Sequence, residues 1–309
     1  MATDGRLADA IRSAGFPPET PVSLATVDAS GTVNTGTAGQ WPDGRAVIAD
    51  DRFYAASLTK QITAAATALL VREGRLDPDR AIGFWLPGLP NWGETVTTRQ
   101  LLHHISGLPP AGMLESRGTG AWTTPAVLDA LAEVELSGQG THAYSNAGYI
   151  LLAEIIAAVS GETYPDYVQR RLGVRFSFDL AACPQSSMMA GHLPLSLGDG
   201  GLWITASDFA AWLHRCNQDR YGIEGLVTAP GQGAPDYAWG LGVRSFRGHP
   251  IFVHGGSWPG AVAHSVRCPA LGIGVVAMAS AGSNTELLAL VNASLALLAG
   301  ASNTGKEPG

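Results

Sequence analysis

The amino-acid sequence predicts an α+β fold: an antiparallel sheet built from both chain ends and flanked by terminal helices, with a mainly helical region inserted into it. Three observations indicate this architecture. Strand-like runs lie near both ends, helix-like patterns fill the middle, and the first and last periodic segments are amphipathic helices. We expect 1–55 and 226–309 to form the sheet region and 56–225 the helical region of one domain, with a cleft at their seam.

Each predicted element has a local signal. The amino-terminal part has a helical pattern at 5–15 and strand patterns at 21–29 and 46–50, with a Ser-Gly turn at 30–31. Helical patterns then occupy the central segments 57–74, 97–105, 124–135, 145–161, 163–172 and 205–218. Strand patterns return at 239–246, 251–254, 261–268 and 271–280, and a last helix is predicted at 285–300. The clearest helix, 145–161, opens with Ser145 and closes with Gly161.

Composition excludes several classes of protein. The chain has 309 residues, 46% of them hydrophobic and 15% charged, which is enough apolar material for a packed core. A net charge of −7 with no Lys/Arg-rich run argues against a nucleic-acid partner. We expect no membrane span, because no apolar stretch reaches about 18 residues, and no secretory leader. The three widely spaced cysteines are typical of reduced thiols, and we expect a cytoplasmic protein.

The sequence contains no recognisable motif for a metal or an organic cofactor, so we expect neither. His103 and His104 are adjacent, and their rings would diverge on a helix. This favours core or hydrogen-bonding roles for the two histidines over metal ligation. The oligomeric state has no signal in the sequence.

The lysines give the first indication of chemistry. The chain has 17 arginines but only two lysines, Lys60 and Lys306. Lys60 follows Ser57 by three residues at the start of a predicted helix, so the two side chains share one face. A lysine can release its proton where an arginine does not, and a neutral amine could activate the serine as a nucleophile. The helix amino terminus would favour the developing negative charge. The alternative is a lysine placed by chance on a helix surface.

Two further clusters favour the catalytic interpretation. Tyr144 stands directly before the clearest helix, where a phenol can act as an acid or a base. Asn146 could bind a substrate carbonyl or orient Lys60, whereas Ser145 alone would be an ordinary helix cap. The triplet His254-Gly255-Gly256 ends a predicted strand, and its glycines would let a substrate backbone approach closely. Standing alone, this histidine would be a turn residue.

In this order, Ser57-x-x-Lys60, Tyr144-x-Asn146 and His254-Gly255-Gly256 resemble the three active-site motifs of the serine β-lactamase and penicillin-binding-protein superfamily. The likeness is strongest to class C β-lactamases, DD-peptidases and family VIII esterases, and it extends over residues 53–280. It implies the β-lactamase/DD-peptidase-like fold, with the catalytic site at the seam of the two regions.

The resemblance also implies roles for individual residues. Ser57 would be the acylated nucleophile, Lys60 its proton partner, and Tyr144 the base of the first step or the shuttle that protonates the leaving group. The backbone N–H groups of Ser57 and Ser257 would form the oxyanion hole. The residues expected to bind substrate are Asn146, His254, Gly255 and Gly256.

The third motif departs from the Lys-Thr-Gly that is usual in β-lactamases and many DD-peptidases, because His254 and Gly255 replace its first two residues. His-Gly-Gly is frequent among esterase-like and amidase-like relatives. The resemblance therefore implies an intracellular serine hydrolase or acyltransferase that acts on a small ester, an amide or a carrier-bound acyl group. The alternatives are an amidase of the β-lactamase or DD-peptidase type, and a catalytically silent binding protein on the same fold.

Overall fold

The structure, a computed structural model, describes residues 4–113, 122–173, 175–179, 183–189, 194–280 and 284–301. The strands within these ranges are β1 (Val22–Val27), β2 (Val33–Ala38), β3 (Phe53–Tyr54), β4 (Trp122–Thr123), β5 (Pro194–Leu195), β6 (Trp203–Ile204), β7 (Gly242–Phe246), β8 (His249–Trp258), β9 (Ala261–Cys268) and β10 (Ile273–Ala279). Six of them form an antiparallel sheet in the order β2-β1-β10-β9-β8-β7. The sheet thus joins strands from both ends of the chain, which confirms the predicted fold class.

Every predicted helix is present, with ends that differ by a few residues. The helices of the described ranges are α1 (Gly5–Ser13), α2 (Thr59–Arg72), α3 (Thr98–Leu102), α4 (Thr124–Leu131), α5 (Asn146–Ser160), α6 (Tyr164–Leu172), α7 (Ala206–Asn217), α8 (Glu224–Val227) and α9 (Asn284–Ala301). A single 3-10 turn, Ala56–Leu58, directly precedes α2. None of the described helices combines the length and the apolar character needed to cross a bilayer.

The sheet is buried on both faces, as its central strand β10 illustrates. All seven residues of β10 are buried. Val275 and Ala277 pack in a core with the terminal helices α1 and α9, whereas Val276 and Met278 face the opposite core, which includes α7 and the helical region. Because side chains alternate across a strand, a continuous apolar run such as this one packs against helices on both sides.

One predicted strand is wrong. Residues 46–50 form no strand. The neighbours of β1 are β10 on one side and, on the other, β2, the polar segment VNTGTA at Val33–Ala38. The carboxylate of Asp51 folds the 46–50 segment into a turn by accepting from Ile48 N at 2.9 Å and from Trp41 Nε1 at 2.8 Å. Within β2, a Cβ on Gly36 would lie 2.5 Å from Leu7 Cβ, so the glycine lets α1 pack directly on this edge strand.

The seam between the sheet and the helical region is where the sequence motifs meet. Helix α2 packs against α5 and α6 and is buried at twelve of its fourteen residues. The 3-10 turn before α2 contacts β8 and β9, which are adjacent strands in the half of the sheet that ends with β7. The amino terminus of a buried helix therefore lies against the end of β8.

Candidate active site

Ser57 and Lys60 are in direct contact at the start of α2. Ser57 lies in the 3-10 turn and Lys60 in the first helical turn, and Lys60 Nζ lies 3.1 Å from Ser57 Oγ. The lysine side chain is fully buried, whereas the serine is partly exposed. Ala56, just before the serine, has a φ of 46°, in the left-handed region that non-glycine residues seldom adopt. This turn presents the serine hydroxyl at the seam while the lysine stays inside.

Lys60 Nζ has two other oxygen partners in addition to the serine. Asn146 Oδ1 and the main-chain oxygen of Asp199 each lie 2.9 Å away. A carbonyl oxygen can only accept, so these two contacts use two N–H bonds of the amine. A neutral amine then has its lone pair left for the Ser57 hydroxyl, whereas an ammonium donates its third proton there. The site can therefore accommodate both protonation states, as a proton acceptor requires. The position of Asn146 fits one of its two predicted roles, which is to orient Lys60.

Tyr144 lies on the open side of this pair. Its ring centroid is 5.0 Å from Lys60 Nζ and 6.1 Å from the ring of His254. The following residue, Ser145, occupies the cap position of α5, yet its side chain makes no capping hydrogen bond, and its buried Oγ has no partner among the residues that the structure describes. The segment Tyr144–Asn146 thus places a phenol and an amide on either side of Lys60.

His254 is buried and both of its ring nitrogens are used within the protein. Nε2 lies 3.0 Å from the Tyr237 hydroxyl, and Nδ1 lies 2.6 Å from the main-chain oxygen of Gly255. Burial, helped by the nearby positive charge of Lys60, lowers the pKa of His254 to about 3. The ring is therefore neutral at pH 7. The ring also lines the cavity next to Tyr144, and a substrate-binding role for His254 stays a prediction.

The two glycines that follow have different surroundings. A Cβ on Gly256 would lie 2.9 Å from Ser57 N and 2.9 Å from Ala56 Cβ, so β8 runs directly over the nucleophile turn. A Cβ on Gly255 would lie 3.0 Å from His264 Nε2. Gly256 is thus required by the approach of two protein backbones, and its predicted role toward a substrate stays a prediction. Ser257 comes next on β8 and is exposed.

A cavity of about 440 Å³ adjoins the site and shares Tyr144, His254 and Gly255 with it. Its other walls come from the segment before β7, from β7 to β9 and from the loop before α5, and they include His142, Asp236, Arg244 and His264. A space of this size can accept the leaving group or the acyl group of a small substrate.

The structure brings together residues that the sequence analysis did not assign to the site. Asp199 contributes through its main-chain oxygen, for which no side-chain pattern exists. Tyr237 lies far from every motif in the sequence, and only its contact with His254 indicates a role. Across the described ranges, no three His, Cys, Asp or Glu side chains lie close enough together to hold a metal ion. Cys183, Cys216 and Cys268 are free thiols, in agreement with the sequence expectation.

Known proteins are similar to this chain in sequence and in fold. The family model described as Beta-lactamase matches residues 22–299. Putative penicillin-binding protein PbpX of Bacillus subtilis (strain 168) is 36% identical over 124 residues, which cover 39% of this chain and 30% of PbpX. The class C beta lactamase from Rhodobacter sphaeroides aligns with a TM-score of 0.77 at 18% identity, covering 95% of this chain and 99% of that one. The D-amino acid amidase from Ochrobactrum anthropi SV3 aligns with a TM-score of 0.76 at 21% identity, covering 98% of this chain and 100% of the amidase.

These likenesses carry different weight. The matches to curated relatives cover only 27% to 53% of the length of those proteins. The two solved structures, at 18% and 21% identity, show the fold alone. The family model, in contrast, spans the chain from β1 into α9. The protein therefore belongs to the β-lactamase family of serine hydrolases.

Proposed function

We propose that this protein is a serine hydrolase or acyltransferase that takes the acyl group of a small ester, an amide or a carrier-bound donor onto Ser57. The observation that carries the proposal is the 3.1 Å contact between Lys60 Nζ and Ser57 Oγ. Buried lysines are rare unless they are partnered, and this one has its amine turned to the hydroxyl of a partly exposed serine. A catalytically silent binding protein would not need this pair.

The proposed reaction proceeds in two steps. Ser57 Oγ attacks the carbonyl carbon while its proton passes to Lys60 Nζ, and the backbone N–H groups of Ser57 and Ser257 stabilise the oxyanion. The bond to the leaving group then breaks, and the proton reaches that group by way of Tyr144. Water or another nucleophile attacks the acyl-enzyme in the second step, losing its proton to the same groups and restoring the serine.

The state of His254 supports a donor without a carboxylate at this position. Lysine in a Lys-Thr-Gly triplet supplies a fixed positive charge, whereas the His254 ring is buried, neutral and partnered at both nitrogens. A penicillin-like carboxylate would find no cation at position 254 itself, where Arg244 on the exposed wall of the cavity is the nearest lining cation, and a neutral ester or amide would lose little. Amides stay within the proposal because the D-amino acid amidase shares the fold across its whole length.

Intact-mass spectrometry tests the acyl-enzyme directly. The protein is incubated with a panel of p-nitrophenyl esters, thioesters, D-amino acid amides and β-lactams. We expect one adduct whose mass names the acyl class, and no adduct on the Ser57→Ala variant. A shorter adduct lifetime on addition of amines or alcohols would indicate acyl transfer. An adduct that persists in the alanine variant, or none from the whole panel, would contradict the proposal.

Steady-state kinetics test the preference for neutral donors. We expect kcat/KM for p-nitrophenyl butyrate to exceed that for nitrocefin by about tenfold or more, which corresponds to about 1.4 kcal/mol in transition-state binding. His254→Lys should move the ratio toward nitrocefin, although Gly255 supplies no hydroxyl to help. Faster hydrolysis of nitrocefin by the unaltered protein would make the β-lactamase alternative the better one.

A further inference from the structure

The adjacent histidines at the end of α3 bind Tyr237 from two sides. Trp239 Nε1 donates to His103 Nε2 at 3.0 Å, and an indole N–H can only donate, so the proton of His103 is on Nδ1. That nitrogen lies 3.2 Å from the main-chain oxygen of Tyr237. His104, whose φ is 55°, directs Nε2 to the hydroxyl of the same tyrosine at 3.2 Å. His103 thus binds the backbone of Tyr237, and His104 binds its side chain.

The hydroxyl of Tyr237 is the middle of a longer chain of hydrogen bonds. Ser145 N donates to His104 Nδ1 at 3.1 Å, and His104 Nε2 donates to the tyrosine hydroxyl. The hydroxyl donates to His254 Nε2 at 3.0 Å, and His254 Nδ1 donates to the main-chain oxygen of Gly255 at 2.6 Å. We call these four hydrogen bonds the imidazole relay. It joins the backbone beside Tyr144 to the backbone of the third motif.

The two ends of the imidazole relay decide the position of every proton in it. A backbone N–H can only donate and a backbone carbonyl can only accept, so the four bonds run in one direction from Ser145 to Gly255. His104 is neutral because its Nδ1 accepts, and burial beside the Lys60 charge keeps His254 neutral, so each link then contains one proton. His104 must be protonated on Nε2 and His254 on Nδ1. A second proton on His254 would face the Tyr237 O–H and turn that buried hydroxyl away from His254 toward the Tyr149 hydroxyl, its other side-chain partner.

We propose that His104 and Tyr237 are positioning residues that hold His254 as a neutral ring with both nitrogens occupied, and thereby exclude substrates with a carboxylate beside Gly255. The selectivity half of this inference rests on the proposed function; the proton positions do not. His104 and Tyr237 are 1% and 9% exposed, so water does not compete for their hydrogen bonds. Where a Lys-Thr-Gly triplet has the fixed charge of a lysine, this protein has the imidazole relay, in which His104 and Tyr237 leave His254 with no free N–H for an anion.

Most of the surroundings of His254 favour its neutral form, and the hydrogen bond to the Gly255 oxygen acts the other way. Burial and the Lys60 charge both lower the pKa of His254, and burial holds the pKa of the Tyr237 hydroxyl well above its ordinary value. The titratable and charged groups around the ring, taken from every element against it, are Lys60 on α2, Tyr144 before α5, His104 after α3, His264 on β9, Tyr237 before β7, and Asp236 and Arg244 at the exposed cavity wall.

Nitrogen-15 NMR of the histidine-labelled protein tests the proton positions without any substitution. At pH 6 we expect His103 and His254 to be neutral and protonated on Nδ1, and His104 to be neutral and protonated on Nε2. Opposite tautomers in two adjacent histidines are a signature that packing alone would not predict. An imidazolium at either His104 or His254 at this pH, or the reverse tautomer at either, would overturn the inference. This result does not depend on activity.

A substitution tests the selectivity. Tyr237→Phe removes only the hydroxyl, and Tyr221→Phe is the matched control, since its hydroxyl donates to Leu172 O at 2.6 Å in a different part of the molecule. The substrates are phenyl acetate and 3-acetoxybenzoate, which differ by one carboxylate on the leaving group. We expect the unaltered protein and Tyr221→Phe to prefer phenyl acetate by the same factor from pH 5.5 to 8.

In Tyr237→Phe, His254 Nε2 loses its partner, and the neutral ring can take the Nε2–H tautomer, which donates to a carboxylate. We therefore expect the kcat/KM ratio of 3-acetoxybenzoate to phenyl acetate to rise at least about threefold above that of the unaltered protein between pH 5.5 and 8. A ratio equal to that of the unaltered protein at every pH would overturn the selectivity. If the variant does not fold, the tautomers of the unaltered protein still decide the inference. If no ester is turned over, the proposed function fails and the NMR result stands separately.

Discussion

At the scale of single residues, the chemistry depends on one amine and its three oxygen partners. Lys60 Nζ reaches Ser57 Oγ, Asn146 Oδ1 and the oxygen of Asp199, all within 3.1 Å. Two of these partners are obligate acceptors, so only the contact with the serine can change direction when a proton moves. A side chain that retains its charge but does not release a proton would keep the contacts and lose this step.

Lys60→Arg is therefore expected to fail although the positive charge is kept. We expect kcat for the best ester to fall by about 100-fold or more, the usual contribution of a general acid–base group. Circular dichroism checks that the fold survives, and covalent labelling by a fluorophosphonate, with Ser57→Ala as the unlabelled control, reports the nucleophile. Turnover close to that of the unaltered protein would show that Lys60 is a structural cation.

At the scale of elements, the site depends on how closely β8 crosses the turn before α2. The contact involves backbone on both sides, since a Cβ on Gly256 would also lie 3.0 Å from the main-chain oxygen of Ala55. Neither backbone segment, β8 or the turn before α2, can move aside as a flexible side chain would. The distance between Ser57 and the end of β8 is thus set by the absence of a side chain at one position.

Gly256→Ala should separate the strand from the turn by a few tenths of an ångström and misplace the oxyanion donors. We expect kcat/KM to fall by about tenfold or more, because small displacements of catalytic groups are costly. Gly225→Ala in α8 is the control: its Cβ would meet nothing within 4 Å, and alanine favours the helix by about 1 kcal/mol. Equal kinetics in the two variants would show that β8 is not positioned by this contact.

At the scale of the whole molecule, the seam between sheet and helices contains neutral histidines. Burial lowers the pKa of His104 well below its ordinary value and that of His254 to about 3, with the Lys60 charge acting in the same direction. Unfolding frees both rings, so the unfolded chain binds more protons below a pH of about 6.5. Folding stability must then decrease as the pH falls from about 6.5 toward the folded-state values.

Urea unfolding measures this effect. Relative to pH 7.5, we expect each of the two rings to reduce the free energy of unfolding at pH 5 by about 2 kcal/mol. Most carboxylates titrate below pH 5, so the histidines dominate the change in the free energy of unfolding between pH 5 and 7.5. His254→Asn should remove the share of one ring, about 2 kcal/mol, and leave that of His104 and of the other histidines whose pKa burial lowers, His103, His142 and His264. A free energy of unfolding that is equal at pH 5 and 7.5 would mean that the rings are charged or exposed in the folded state.

The sequence by itself determined the features that depend on neighbours along the chain. A spacing of three residues on a helix brings Ser57 and Lys60 together, and apolar periodicity identified the helices and the strands β7 to β10. The order of the three motifs identified the family. The domain boundaries at 55/56 and 225/226 and the oxyanion role of Ser257 stay predictions.

Only the tertiary structure decided the features that depend on distant backbone. β2 is polar and is a strand because it pairs with β1 and packs under α1, whereas the more apolar 46–50 segment is turned away by Asp51. Tyr237 contacts His104 across 133 positions, and Asp199 serves Lys60 through a main-chain oxygen that every residue has. Such contacts leave no local pattern, because side-chain type and spacing encode helix and strand faces but not which backbone groups meet after folding.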